Sequence, residues 1–408
     1  MRTFQLKRTL VLVLAGFALL HGLIFWQLHD SIFRGYGDFA SFYTAGKIVQ
    51  QGESARLYDR GLQWQVQQQF ASSVKIRNGP LPYIRPPFEA LLFLPFAYLD
   101  YPVAFVAWTA VNVLVLLTVP FLLVRETGAW APVPSPLARG FLSLGFFPIA
   151  FDLVQGQDSI LLLMLLALAF VSLQKGSELR AGAWLGLGLF KFHLVVPLFL
   201  VLLLTRRMKA TVGFIGVASV LGLLSVAVVG WPALVGYPGY LWALNEAPAL
   251  AGMKAQAMPN IRGLLTPFLG HGRVPLPVQG ALLGISILGV VSMAKVWPAG
   301  GDSLRNRVGF SFCIVATIFT SYYANSYDLT LLILPLLLVG GALADDHLVH
   351  GWPRTLFEVC AGLLLCSPLY WVLALRIDQF YWVVWLLLAF ATSLAAMVRP
   401  QQPQMGHC

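Results

Sequence analysis

A lysine stands in the middle of one of the longest apolar stretches of this chain. Lys191, in Phe190-Lys191-Phe192-His193, interrupts the run from Ala181 to Thr205, and an ammonium there is costly unless something answers its charge. It either holds an anion, helped by His193 two residues on, or snorkels to an interface from a short helix. His193 by itself is equally explained as a hydrogen-bonded packing residue. Asp38, in Gly37-Asp38-Phe39-Ala40-Ser41-Phe42-Tyr43, carries a carboxylate that either accepts a proton or caps a helix beginning at Phe39, since Asp-x-x-Ser fits an N-cap. Arg85 precedes Pro86-Pro87, and Arg262 follows Asn260. A guanidinium at either place grips an oxyanion bidentately or pins a loop to lipid headgroups. Ser321-Tyr322-Tyr323-Ala324-Asn325-Ser326-Tyr327-Asp328 is a polar, aromatic junction between two apolar runs, suited to sugar stacking and hydroxyl hydrogen bonds, or to an aromatic belt with Asp328 as an N-cap.

The elements that must position these residues follow from composition. Of 408 residues, 58% are hydrophobic and 11% charged, whereas a soluble chain carries about a quarter charged residues. A water-soluble globular fold is excluded. The net charge of +10 does not point to nucleic acid, because the cations cluster between apolar runs as the positive-inside rule requires. Cys313, Cys360, Cys366 and Cys408 support neither a disulfide framework nor a metal site. The first apolar run, about 9–28, follows three positive charges and lacks a small-x-small cleavage site, so it reads as a retained span.

Runs of spanning length are expected at about 10–28, 102–124, 140–155, 158–174, 210–229, 276–297, 308–323, 329–344, 354–374 and 380–398. Arg180 lies before the 181–205 stretch and Arg206, Arg207 and Lys209 after it. Two short helices meeting at Lys191 put both clusters on one face and raise the count to about twelve. The short run 88–99 reads as a re-entrant half-helix. The expectation is an all-α polytopic membrane protein, a single integral domain over 1–398 with a short tail over 399–408. Both termini and Arg125, Arg139, Lys175, Arg305, Arg307, Arg354 and Arg399 fall on the cytoplasmic side. Two long extracytoplasmic segments, about 29–87 and 230–275, hold Asp38, Arg85, Asn260 and Arg262, and 63–70 is a helix candidate within the first.

The series Gly-Asp-Phe-x-x-Phe-Tyr-x-Ala-Gly from Gly37, Leu57-Tyr58-Asp59, Pro-Pro-Phe-x-Ala-Leu-Leu-Phe-x-Pro from Pro86, and Gly-Gln-x-x-x-Leu-Leu-Leu from Gly156 resembles glycosyltransferase family 87. It continues through Ala181-Gly182, Lys191, Arg206-Arg207, Pro259-Asn260-x-Arg262-Gly263 and Ser326-Tyr327-Asp328. The resemblance covers about residues 35–345. It implies a GT-C fold, a polyprenyl-phosphate sugar donor as for polyprenol-phosphate-mannose-dependent mannosyltransferases, an extracytoplasmic active site, and an acid in the first outer loop, which falls on Asp38. Asp158 departs from the pattern, since many relatives carry Asn after Gly-Gln, and its role is left open.

Sugar transfer from a lipid phosphate needs a base for the acceptor hydroxyl and cations for the departing phosphate, and one carboxylate suffices for direct inversion. Asp38 is accordingly the expected base; Lys191, Arg85, Arg262 and His193 are the expected phosphate-binding set; Tyr43, Gln157, Asp158, Asn260, Tyr327 and Asp328 are the expected sugar or acceptor contacts. No metal spacing, Asp-x-Asp pair or glycine-rich phosphate loop occurs, so neither a metal nor another cofactor is expected. The expected partners are the lipid-linked donor, a glycolipid or glycan acceptor, and membrane lipids. A secondary transporter or lipid-linked-sugar flippase is the alternative, and a non-catalytic scaffold a third; a transporter would concentrate its polar residues at the midplane on repeated broken helices.

Overall fold

A computed structural model of the chain describes residues 2–74, 79–124, 135–246, 255–269, 274–300, 303–344 and 350–398. Every regular element among them is helical, as expected of a lipid-exposed chain whose backbone must satisfy its own hydrogen bonds. Seven helical stretches are long and apolar enough to cross a membrane: Arg8–Phe33, Tyr101–Leu122, Glu178–Leu204, Met208–Glu246, Leu276–Val296, Ser326–Leu343 and Phe380–Val398. Their outward faces leave Leu19, Leu223 and Leu288 exposed, a surface fit for lipid. The protein is an integral membrane protein.

The expected twelve crossings are not all found among the described residues. Two runs expected as single spans are bent pairs, Pro136–Ser143 with Phe147–Gln155 at 70° and Trp352–Leu364 with Ser367–Ala374 at 61°, which bring the possible total to nine. The 158–174 run is a shorter apolar helix, Ser159–Gln174. The tail 399–408, with Arg399 and Cys408, and Arg125 lie outside the described residues.

The break at Lys191 is present. Helix Glu178–Leu187 passes into a 3-10 turn, Gly188–Lys191, and helix Phe192–Leu204 follows, with Lys191 itself at φ −108°, ψ 57°. The packing shows that the chain doubles back there, so the Glu178–Leu204 stretch, long and apolar enough for one crossing by length and composition, is two short helices that enter and return. Gly182 lies against the backbone of Ala210, and Gly186 against Phe214 and Val217, so Glu178–Leu187 and the first turns of Met208–Glu246 run parallel in close register. A Cβ on Gly182 would sit 1.8 Å from the Ala210 carbonyl oxygen and one on Gly213 2.0 Å from that of Leu179. Only glycine allows these two backbones to meet so closely. Parallel helices start at the same end of the bundle, which puts Arg180 beside Arg206, Arg207 and Lys209. Single cysteines replacing the exposed Leu179 and Met208 are expected to react with an impermeant maleimide from one and the same face, opposite to that labelling a cysteine at the exposed Tyr98. Labelling of 179 and 208 from opposite faces would exclude the hairpin.

The outer segments differ from expectation in detail. The 88–99 run is not one half-helix but a succession of short turns, Pro87–Glu89, Ala90–Phe93 and Phe96–Tyr98. They pack on helix Phe39–Gln50, where Gly46 meets the Phe93 carbonyl; Pro87 and Pro95 each deny the run a backbone donor and shorten its turns. The 230–275 segment begins as helix, because Met208–Glu246 continues past a kink at Gly230 (φ 79°). The Gln-rich candidate is helix Arg60–Ala71, capped by Asp59, which accepts from the Gly61 and Leu62 amides.

Two apolar cores result. The larger joins helices Ser159–Gln174, Phe192–Leu204, Ser303–Thr320, Ile333–Ala344 and Val383–Val398. The smaller is an aromatic cluster of Phe39, Phe42, Phe93, Tyr101, Phe105 and Trp108 around helices Phe39–Gln50 and Tyr101–Leu122. The polar residues singled out above gather where the two meet.

Candidate active site

Gly156 sets the geometry at that seam. It ends helix Phe147–Gln155 in the left-handed conformation (φ 63°), and a Cβ there would collide with Phe39 at 2.7 Å. With no side chain, it lets the start of helix Phe39–Gln50 rest on the turn. Trp108 Nε1 donates to the Gly156 carbonyl at 3.0 Å and fixes the turn from behind. The flanking glutamines then reach Asp38: its backbone amide donates to Gln155 Oε1 at 3.2 Å, and Gln157 Nε2 donates to its Oδ2 at 2.7 Å. Asp38 precedes helix Phe39–Gln50 but makes no side-chain capping bond to it.

That carboxylate lines a cavity of about 520 Å³. Phe42, Phe151, Phe192, Tyr323 and Tyr327 give it aromatic walls, and Gln155, Gln157, Asn325, Ser326 and Asp328 give it polar ones. Such a mixture binds polyols, with ring faces for C–H bonds and amides for hydroxyls. One wall is the extended segment 81–85, whose Leu81, Pro82, Ile84 and Arg85 face the cavity. Helix Arg60–Ala71 holds it with side-chain amides in place of a neighbouring strand. Gln67 both donates to and accepts from the Leu81 backbone at 2.9 Å, and Gln63 accepts from the Tyr83 amide at 3.2 Å. The Tyr58 and Tyr237 hydroxyls donate to the Arg85 and Ile84 carbonyls, each at 2.8 Å.

Behind the wall lies a buried ionic cluster. Lys191, with no exposure, has its Nζ 3.0 Å from Asp158 Oδ1 and 2.5 Å from Asp328 Oδ1, and it donates to Ser159 Oγ at 2.6 Å. Arg85 Nη2 donates to Asp158 Oδ1 at 3.0 Å and to Gln157 Oε1 at 3.1 Å, and its Nη1 to the Phe190 carbonyl at 3.4 Å. Burial works to raise the Asp158 carboxyl, but Arg85 and Lys191 beside it hold it below the ordinary carboxylate range. Glu89 goes the other way: burial and the neighbouring Asp158 charge push it well above that range.

This arrangement separates the expected site residues into those that line the cavity and those that do not. The three protons of the Lys191 ammonium are matched by three partners inside the protein, and the residue lies outside the cavity lining. Asp158 is fully buried between the two cations, away from the cavity lining. Arg262 is buried apart from them, stacked on Tyr322 and Tyr323 at 4.1 and 4.6 Å and bonded to Asn245. Asn260 accepts from the Gly263 amide at 2.8 Å and donates to the Ala324 carbonyl at 3.3 Å, so it shapes its loop. Tyr43 packs on Phe70 and Tyr101, its hydroxyl on the Leu99 carbonyl. Lys191, Asp158, Arg262, Asn260 and Tyr43 all lie outside the cavity lining; Asp38, Arg85, Gln157, His193, Tyr327 and Asp328 lie within it. Sequence reasoning missed Gln63, Gln67 and Glu89. The glutamines' spacing of four on one helix beside Leu62 and Val66 was a readable signal that amides face inward.

The sequence profile of glycosyltransferase family 87 matches residues 83–335. The chain belongs to glycosyltransferase family 87. The matched region carries Arg85, the Gly156 turn, Lys191 and Asp328, whereas Asp38 lies ahead of it. The chain is also similar to a polyprenol-phosphate-mannose-dependent alpha-(1-2)-phosphatidylinositol mannoside mannosyltransferase of Mycobacterium tuberculosis, 28% identical over 244 residues, a stretch that spans 55% of each chain. No solved structure matches it.

Proposed function

We propose that this family 87 member is a membrane glycosyltransferase that moves a sugar, mannose foremost, from a polyprenyl-phosphate donor to a hydroxyl of a lipid or glycan acceptor. The carrying observation is the Asp38 carboxylate, which lines a sugar-sized cavity with Gln157 on one oxygen and serves no helix as a cap. The acceptor oxygen attacks the anomeric carbon as its proton passes to Asp38, and the bond to the lipid phosphate breaks, giving inversion in one step without a metal. The departing phosphate carries negative charge, and Arg85 and His193 are the cation-capable side chains among the lining residues. Arg85 spends both Nη2 protons and one Nη1 proton on its described partners; of the two N–H groups left, Nε lies 4.0 Å from Glu89 Oε2 and the second Nη1 proton is the one offered to an oxyanion. The aromatic walls and Asn325 suit the sugar ring.

The mycobacterial relative's name supports the donor and the mannose. The side of the membrane rests on charge: the basic residues around 180 and 206–209 sit at one end of the hairpin and Asp158 and Lys191 at the other, so the cavity faces outward and both termini lie in the cytoplasm by the positive-inside rule. Purified protein given a radiolabelled panel of polyprenyl-phosphate sugars and a native lipid extract is expected to transfer label into glycolipid from the mannose donor. Transfer from a nucleotide sugar alone, or from none of the panel, would overturn the proposal.

A further inference from the structure

We infer that Gln157 is a positioning residue that holds the Asp38 carboxylate in place under the control of Arg85. The inference rests on the reading of Asp38 as the base, and it replaces the sugar-contact role expected for Gln157. A guanidinium carries donors only. The amide atom that meets Arg85 Nη2 at 3.1 Å is therefore the carbonyl oxygen, Oε1, and Nε2 is turned toward Asp38 Oδ2 at 2.7 Å. The cation thus decides which way the amide faces. Arg85 cannot easily turn away, because it is buried, its Nη2 also holds Asp158 and its Nη1 the Phe190 carbonyl. With Gln155 accepting from the Asp38 amide, the two residues flanking Gly156 grip the backbone and side chain of one aspartate. An N–H donated to the carboxylate favours its charged form and fixes its direction, the two properties a general base needs.

The test is the pH dependence of kcat/KM for sugar transfer in the purified full chain. In Gln157→Glu the new carboxylate still accepts from Arg85 but faces Asp38 with like charge. The acidic limb of the profile is then expected to move to higher pH by roughly one unit or more. In Gln157→Met, which keeps the length and leaves Arg85 on Asp158, kcat is expected to fall by roughly 10–100-fold with donor KM near wild type and a smaller shift in the same direction. Thermal unfolding of each variant reports folding; should Gln157→Glu fail to fold, Gln157→Met carries the test alone. A profile that drops in height with its limb unmoved, or a rise confined to donor KM, would overturn the inference. Activity retained by Asp38→Asn would instead remove the base reading itself, so the two failures are told apart.

Discussion

Asp38→Asn is expected to slow sugar transfer by roughly 10²–10⁴-fold, the usual size of a general-base contribution, while leaving the protein folded and donor affinity near wild type. The substitution keeps an oxygen that can accept from Gln157 Nε2, as Asp38 Oδ2 does at 2.7 Å, and removes the capacity to take a proton. Stability is expected to survive for a second reason. The Asp38 side chain makes no capping bond to helix Phe39–Gln50, so the loss of about 1 kcal/mol that a removed cap costs does not arise. Initial rates with labelled donor, alongside a thermal unfolding curve in detergent, make the measurement. More than a third of the wild-type rate in Asp38→Asn would sink the catalytic assignment. Asp158, fully buried between two cations, and Asp59, the cap of helix Arg60–Ala71, are poor substitutes. Asp328 lines the cavity but is tied to Lys191 and the Asn325 amide.

Lys191→Met is expected to act on folding. The ammonium joins Asp158, Asp328 and Ser159 inside the protein, and removing one partner of a buried ionic group strands the others. The cost is about 3–5 kcal/mol, a large share of a typical net stability. A sharp fall in the unfolding midpoint is expected, with activity falling in proportion to folded protein. Lys191→Arg should not restore it, because a planar fork does not replace a compact charge met from three directions in a site without exposure. Adding Asp328→Asn to Lys191→Met should recover part of the loss by taking away one stranded charge. A Lys191→Met protein as stable as wild type but weak in donor binding would return the lysine to the phosphate-binding role first read from the sequence.

The amino-acid sequence by itself determined the solvent of this protein, the break at Lys191 and the resemblance to its family. Lipid leaves a chain few options, so apolar length and flanking charge are enough to place most helices. The same reasoning found the hairpin, because two basic clusters on either side of one apolar run demand a return. The number of crossings is less legible in a sequence, since hydropathy does not distinguish a straight spanning helix from a bent pair such as Pro136–Ser143 with Phe147–Gln155 or from a shorter apolar helix such as Ser159–Gln174.

The site residues divide in the same way. Asp38, Arg85, Gln157, His193, Tyr327 and Asp328 were legible as polar groups in costly places, and the fold brings them to one cavity. Which cations are paired behind the wall and which line the cavity was decided only by tertiary structure. A sequence shows that a charge such as Lys191 must be answered, but its partner Asp328 lies 137 residues away, and nothing local distinguishes a lysine paired within the protein from one awaiting a phosphate. That outcome depends on distance and burial, because the interaction of charges falls with separation and rises as water is excluded, and both are set by the packing of helices remote in the chain.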